Sequence, residues 1–124
     1  MDANNNLGNA YHMKGDLASA RKSYRKAISI NSNHFEAHYN LGLVLHKVGD
    51  LNSAIVSYQK AVEIKPNYFE AYNNMGNALE DRGDIKLAIH AYQKALIIKP
   101  DSFQACQNIL KRPTGFLKVK TLDM

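Results

Sequence analysis

The chain has 124 residues, and with 45% hydrophobic and 22% charged side chains it has the composition of an ordinary globular domain. No apolar run approaches the roughly 20 residues of a membrane span, and the first twenty residues lack the apolar stretch of a secretory leader. The net charge of +5 invites a nucleic-acid reading that only the placement of the charges can decide.

The first segment, DANNNLGNAYHMKGD at residues 2 to 16, predicts a helix ending at Gly15, with Asp16 capping the next one. EAHYNLGLVLHKVGD follows at 36 to 50 and EAYNNMGNALEDRGD at 70 to 84. The spacing between the three is 34 residues. Gly8, Gly42 and Gly76 keep that step, as do Gly15, Gly49 and Gly83; Ala20, Ala54 and Ala88; Tyr24, Tyr58 and Tyr92; Ala27, Ala61 and Ala95; and Ser32, Pro66 and Pro100. Three tandem repeats therefore occupy 1–34, 35–68 and 69–102. Each is a helix, a tight Gly-Asp turn and a second helix. The glycines of the first series are expected where the two helices approach without an intervening side chain, the alanines where the crossing is thin, and the tyrosines between repeats. A single hairpin cannot bury its own apolar face, so the units must stack.

The pattern L-G-x-x-Y, G, A, Y, A, P at this period resembles the tetratricopeptide repeat, over about four-fifths of the chain. The resemblance implies an all-α fold, a right-handed αα-solenoid superhelix of three helix-turn-helix repeats plus a C-terminal helix. It implies a tetratricopeptide domain over 1–112, with a capping helix at about 101–112, and an irregular tail at 113–124. Two features depart from the family pattern. The first-turn aromatic is Asn4, His38 and Tyr72 in the three repeats, and Ser32 stands where proline is expected. The first repeat should be the least stable.

Advancing about 100° per residue puts positions 3, 4, 7, 8, 10 and 11 of each repeat on one side and positions 2, 5, 6, 9, 12 and 13 on the other. In the family, that second face of the first helix lines a concave groove. The groove residues expected here are Asn5, Asn6 and Asn9 in the first repeat, with Asp2, His12 and Met13 around them. Tyr39, Asn40 and Leu43 follow in the second repeat, with Glu36, His46 and Lys47. Glu70, Asn73, Asn74, Asn77 and Glu80 follow in the third, with Asp81, and Asn108 continues the series in the terminal helix.

Position 6 is asparagine every time: Asn6, Asn40, Asn74 and Asn108. Asparagine is a poor helix former, but its carboxamide can both donate to and accept from a peptide unit. One such group per repeat makes a ladder that holds an extended backbone whatever its side chains. The arrangement is similar to the asparagine ladder in the superhelical arm of the O-linked N-acetylglucosamine transferases. The competing reading is that asparagine at position 6 is a habit of the family that shapes turns between helices and binds nothing.

The chaperone-type carboxylate clamp of the family is not supported. Asn9 and Asn40 fit it, but Asn5, Glu70 and Asn74 stand where its basic residues belong. With Glu36, Glu70, Glu80 and Asp81 in the groove against Lys47, the expected partner is a protein or extended peptide, neutral to basic. Lys26, Lys60 and Lys94 recur on the outer face, so nucleic acid and membrane are not expected partners. His34 with His38, and His12 with His46, lack further ligands at metal-binding spacing. Cys106 has the position of a packed thiol. No phosphate loop, nucleophile elbow or paired acid and base is present, so the expectation is a non-enzymatic module without cofactor or metal. The lone cysteine and the absence of an Asn-x-Ser/Thr acceptor favour a cytoplasmic location.

Two alternatives stay open: the recognition arm of a larger glycosyltransferase, and an oligomerisation module. The chain begins inside its first helix, as though cut from a longer array. At the other end Pro113 forbids helix continuation. The tail is apolar at Phe116, Leu117, Val119 and Leu122, which suggests self-association through it.

Overall fold

The computed structural model describes residues 3–101. Six helices follow in order: α1 (Ala3–Lys14), α2 (Leu17–Ile30), α3 (Phe35–Lys47), α4 (Leu51–Ile64), α5 (Phe69–Arg82) and α6 (Ile85–Ile98). No strand occurs among the described residues. The stretch in which a terminal helix is expected, with Asn108 and Cys106, and the tail lie outside them.

The helices pair as the repeats require. Within a repeat α1 packs on α2, α3 on α4 and α5 on α6, and the hairpins are joined through α2 with α3 and α4 with α5. The first helices also meet one another, α1 with α3 and α3 with α5. They form the more closely packed of the two layers, as the inner wall of a curved solenoid must.

The turns explain themselves residue by residue. Gly15, Gly49 and Gly83 have φ of 90°, 90° and 96°, a left-handed conformation that favours glycine at a helix end. The following aspartates cap the next helix. Asp16 Oδ1 accepts from Ser19 N at 3.1 Å and Asp50 Oδ1 from Ser53 N at 3.3 Å. The bonds from Ser19, backbone first, hold the Asp16 carboxyl below its ordinary pKa. Asp84 makes no such side-chain cap; its carboxylate accepts from Arg82 Nε at 2.6 Å.

The core differs from the sequence expectation in one respect. A Cβ built on Gly8 would lie 2.5 Å from Tyr24 Cε1, one on Gly42 would lie 2.6 Å from Tyr58 Cε1, and one on Gly76 would meet Tyr92 in the same way. The glycines thus make room for a tyrosine ring of their own repeat rather than for bare backbone. Tyr24, Tyr58 and Tyr92 are fully buried, and together with Ala20, Ala54 and Ala88 they belong to one continuous core.

Candidate concave peptide site

The site is built on the inner helices. Position 6 of one repeat reaches back to position 5 of the repeat before it. Asn40 Nδ2 donates to Asn5 Oδ1 at 3.1 Å, and Asn74 Nδ2 donates to Tyr39 Oη at 2.8 Å. Asn74 Nδ2 also donates to Glu70 O at 3.0 Å, and its Oδ1 accepts from Asn77 Nδ2 at 3.4 Å. Asn40 and Asn74 are therefore links between repeats. Asn6 is exposed, and Asn40 keeps one N–H and its oxygen unpaired among the described residues.

These contacts correct the picture of positions 5 and 9 as open groove residues. Asn5 and Asn73 are only 5% and 3% exposed; position 5 sits at the edge of the helix face, where Asn5 lies under the side chain that the next repeat sends back. Asn9 Oδ1 accepts from Tyr24 Oη at 2.6 Å, and Asn77 Oδ1 does so from Tyr92 Oη at 2.6 Å. Glu80 Oε1 lies 2.9 Å from the same Tyr92 hydroxyl. Leu43, the equivalent of Asn9 and Asn77, cannot accept, and the buried Tyr58 hydroxyl has no hydrogen-bond partner among the described residues. Buried polar groups nearly always find one. Desolvation raises the pKa of all three phenols of the second repeat, Tyr39, Tyr58 and Tyr68. Glu70 reinforces the effect at Tyr39 and the Asn74 amide opposes it.

Asn5, Asn6, Asn9, Tyr39, Asn40 and Glu70 come together around a mainly polar concavity of about 480 Å³, to which Glu36 also contributes. Three further lining residues escape a reading confined to the first helices: Phe35, Lys65 and Tyr68. The Lys65 ammonium stands 5.0 Å from the Phe35 ring centre and 4.8 Å from that of Tyr68. The two rings meet edge to face at 5.5 Å, and Tyr39 lies against Tyr68 at 5.0 Å. A signal was available: Lys-Pro recurs at Lys65-Pro66 and Lys99-Pro100, each lysine thirty residues after a phenylalanine, Phe35 and Phe69. Asp81 is engaged by His46 Nε2 at 2.7 Å across the repeat boundary. Asp2, the remaining acidic residue expected in the groove, lies outside the described residues.

The histidines have local partners. His34 Nδ1 accepts from Ala37 N at 3.3 Å, and His38 Nε2 lies 2.9 Å from Ser32 O. Burial, then Lys47, lowers the pKa of His12. Among the described residues no three His, Cys, Asp or Glu side chains gather as a metal site would need. None of the described helices is long and apolar enough to cross a membrane.

Stacked helical hairpins with a polar inner groove define an αα-solenoid of the kind that offers its concave face to other molecules. The chain belongs to the tetratricopeptide repeat family: the "TPR repeat" profile matches residues 8–49 and 48–83, and the "Tetratricopeptide repeat" profile matches 69–102. Among solved structures it is similar to MamA, with 30% identity and a TM-score of 0.83 over 86% of this chain and 62% of that one. A second MamA structure is 33% identical, with a TM-score of 0.76 over 80% of this chain and 54% of that one. The chain thus spans less than two-thirds of either MamA chain. It shares its fold with the first TPR of Spaghetti (RPAP3) bound to the HSP90 peptide SRMEEVD, at 21% identity and a TM-score of 0.85, with 87% of this chain and 86% of that one aligned. The second TPR domain of human RPAP3, in complex with the HSP70 peptide SGPTIEEVD, matches at 19% identity and a TM-score of 0.84 over 88% of this chain and 91% of that one. No curated protein matches the chain.

Proposed function

We propose that this chain is a non-enzymatic protein-interaction module whose concave face takes an extended peptide, neutral to basic, along its asparagine series. The observation that carries the reading is the concavity in which Asn6 and the unpaired half of Asn40 stand beside Glu36 and Glu70. The amides suit a peptide backbone; the carboxylates choose its charge. Structural relatives that bind chaperone peptides support a peptide-binding role, but those peptides carry Glu-Glu-Val-Asp ends. Here Glu70 and Asn74 stand where basic partners for such an end would be required, so acidic peptides are repelled.

The test is a charge series of extended peptides carrying Lys, Gln or Glu at the same positions, titrated at low and high salt. Affinity should fall from Lys to Gln to Glu, and the spread should shrink as salt screens exposed charges over about 8 to 10 Å. The double variant Glu36→Gln/Glu70→Gln should lose the preference for Lys while keeping the Gln peptide. Equal affinity for all three peptides, or a preference for Glu, contradicts the reading.

Self-assembly is the alternative of a different class; a mass above that of the monomer in dilute solution would favour it. The glycosyltransferase-arm alternative rests on the asparagine pattern alone; a catalytic domain elsewhere in the same gene would support it.

A further inference from the structure

Lys65, Phe35 and Tyr68 are not part of the ladder, and their arrangement is not explained by helix capping alone. Phe35 opens α3 and Tyr68 stands immediately before α5, so two successive inner helices each bring one ring to the same end of the groove. The rings are perpendicular, which makes a corner with two aromatic faces. Tyr39 supports Tyr68 from the side and is itself held by Asn74. The Lys65 ammonium sits within 5 Å of both ring centres and makes no ion pair among the described residues. Glu36 and Glu70 line the same concavity, and neither has an ion-pair partner among the described residues.

The equivalent lysine of the next repeat provides the comparison. Lys99 lies 4.9 Å from the Phe69 ring centre, and among the described residues it has that one ring alone. A lysine laid over the first phenylalanine is thus a recurring device of the fold. Among the described residues, the second wall and the two unpaired carboxylates belong to the Lys65 corner only.

We propose that the Phe35–Tyr68 corner is a recognition pocket for a cationic side chain of the bound peptide, arginine above all, and that Lys65 fills this pocket until the peptide displaces it. The proposal rests on the groove reading above and adds to it a position at which one side chain is chosen. The chemistry is complementary. A guanidinium lies flat on an aromatic face and pairs with a carboxylate through its fork of N–H groups, which an ammonium cannot do. Lys65 gains only the ring contacts, so it can leave to solvent when an arginine brings both. The exchange is charge-neutral at the corner: one cation leaves and another enters, while Glu36 and Glu70 acquire a partner.

The experiment uses the full chain and three end-capped peptides of Gly and Ser with one central residue, Arg, its neutral isostere citrulline, or Glu. They are titrated into isotope-labelled protein, with the ring signals of Phe35 and Tyr68 followed by NMR. The Arg peptide should bind about fivefold or more tightly than the citrulline peptide and should shift both rings. Lys65→Ala, which empties the corner, should strengthen binding of the Arg peptide about twofold or more and leave the citrulline peptide unchanged. Tyr68→Leu should reduce the preference to the part that Glu36 and Glu70 supply; should that variant not fold, Lys65→Ala decides. Weaker Arg binding by Lys65→Ala, with Arg still preferred over citrulline, overturns the pocket and leaves the groove reading standing; equal binding of the Arg and citrulline peptides overturns the pocket and the groove's charge preference with it, leaving only its grip on peptide backbone. No binding by any of the three overturns both.

Discussion

Tyr24, Tyr58 and Tyr92 occupy the same place in three repeats, yet their hydroxyls meet different surroundings. Tyr24 donates to Asn9, Tyr92 shares its proton between Asn77 and Glu80, and Tyr58, whose repeat has Leu43 in the position of Asn9 and Asn77, finds no partner among the described residues. An unmade buried hydrogen bond costs more than a made one contributes. Tyr58→Phe should therefore leave the melting temperature unchanged or raise it. Tyr24→Phe should cost about 1 kcal/mol, and Tyr92→Phe about 1.5 to 3 kcal/mol because one of its acceptors is charged. Denaturant melts of the three variants check the order, and a Tyr58→Phe loss as large as the other two contradicts it. The same burial sets an alkaline limit. Desolvation pushes the Tyr24 phenol up to about 12 from an ordinary 10.0. The folded-state value is raised, so its contribution is fully present below pH 10 and is lost as the unfolded chain ionises first, between about pH 10 and 12. Unfolding titrations above pH 9 should show stability falling across that window, less steeply in Tyr24→Phe.

At the scale of the helical hairpin the sequence was legible where a residue type answers a local demand. Left-handed backbone at Gly15, Gly49 and Gly83 and capping by Asp16 and Asp50 could be read from Gly-Asp alone, because those two residues act through their own backbone and the next turn. The role of Gly42 was legible only in part. Its conservation of step showed a close contact, but that the contact is the Tyr58 ring depends on how the second helix is rotated, which no spacing within the first helix reveals. Gly42→Ala tests the assignment: Tyr58 is fully buried and cannot swing away, so the variant should lose about 1 to 3 kcal/mol by overpacking. Gly49→Ala, with nothing within 4 Å of its added carbon, should lose only the roughly 1 to 2 kcal/mol of left-handed backbone strain. Thermal melts of both variants check this; a parent-like Gly42→Ala removes the tyrosine contact from the account.

Across the whole molecule, stacking turns short-range facts into a groove. The period of 34 residues made the solenoid and its inner wall legible, because any repeat must bury the same face against its neighbour. The finer occupancy of that wall was not. Whether Asn5 is open or covered depends on Asn40, thirty-five residues away, and the Lys65 corner joins residues from outside the helix face on which the reading was made. The central claim is that the asparagine series grips peptide backbone. Because Asn40 and Asn74 also tie neighbouring repeats together, their removal must be judged against folding as well as binding. The direct measurement is calorimetric titration of an extended, neutral-to-basic peptide into the Asn40→Ala/Asn74→Ala variant, below its own melting point. The account predicts a folded variant, destabilised by about 1 to 3 kcal/mol, that binds Lys and Gln peptides alike about tenfold or more weakly than the parent. A folded variant that binds them as tightly as the parent would contradict it and leave the asparagines as links between repeats and nothing more.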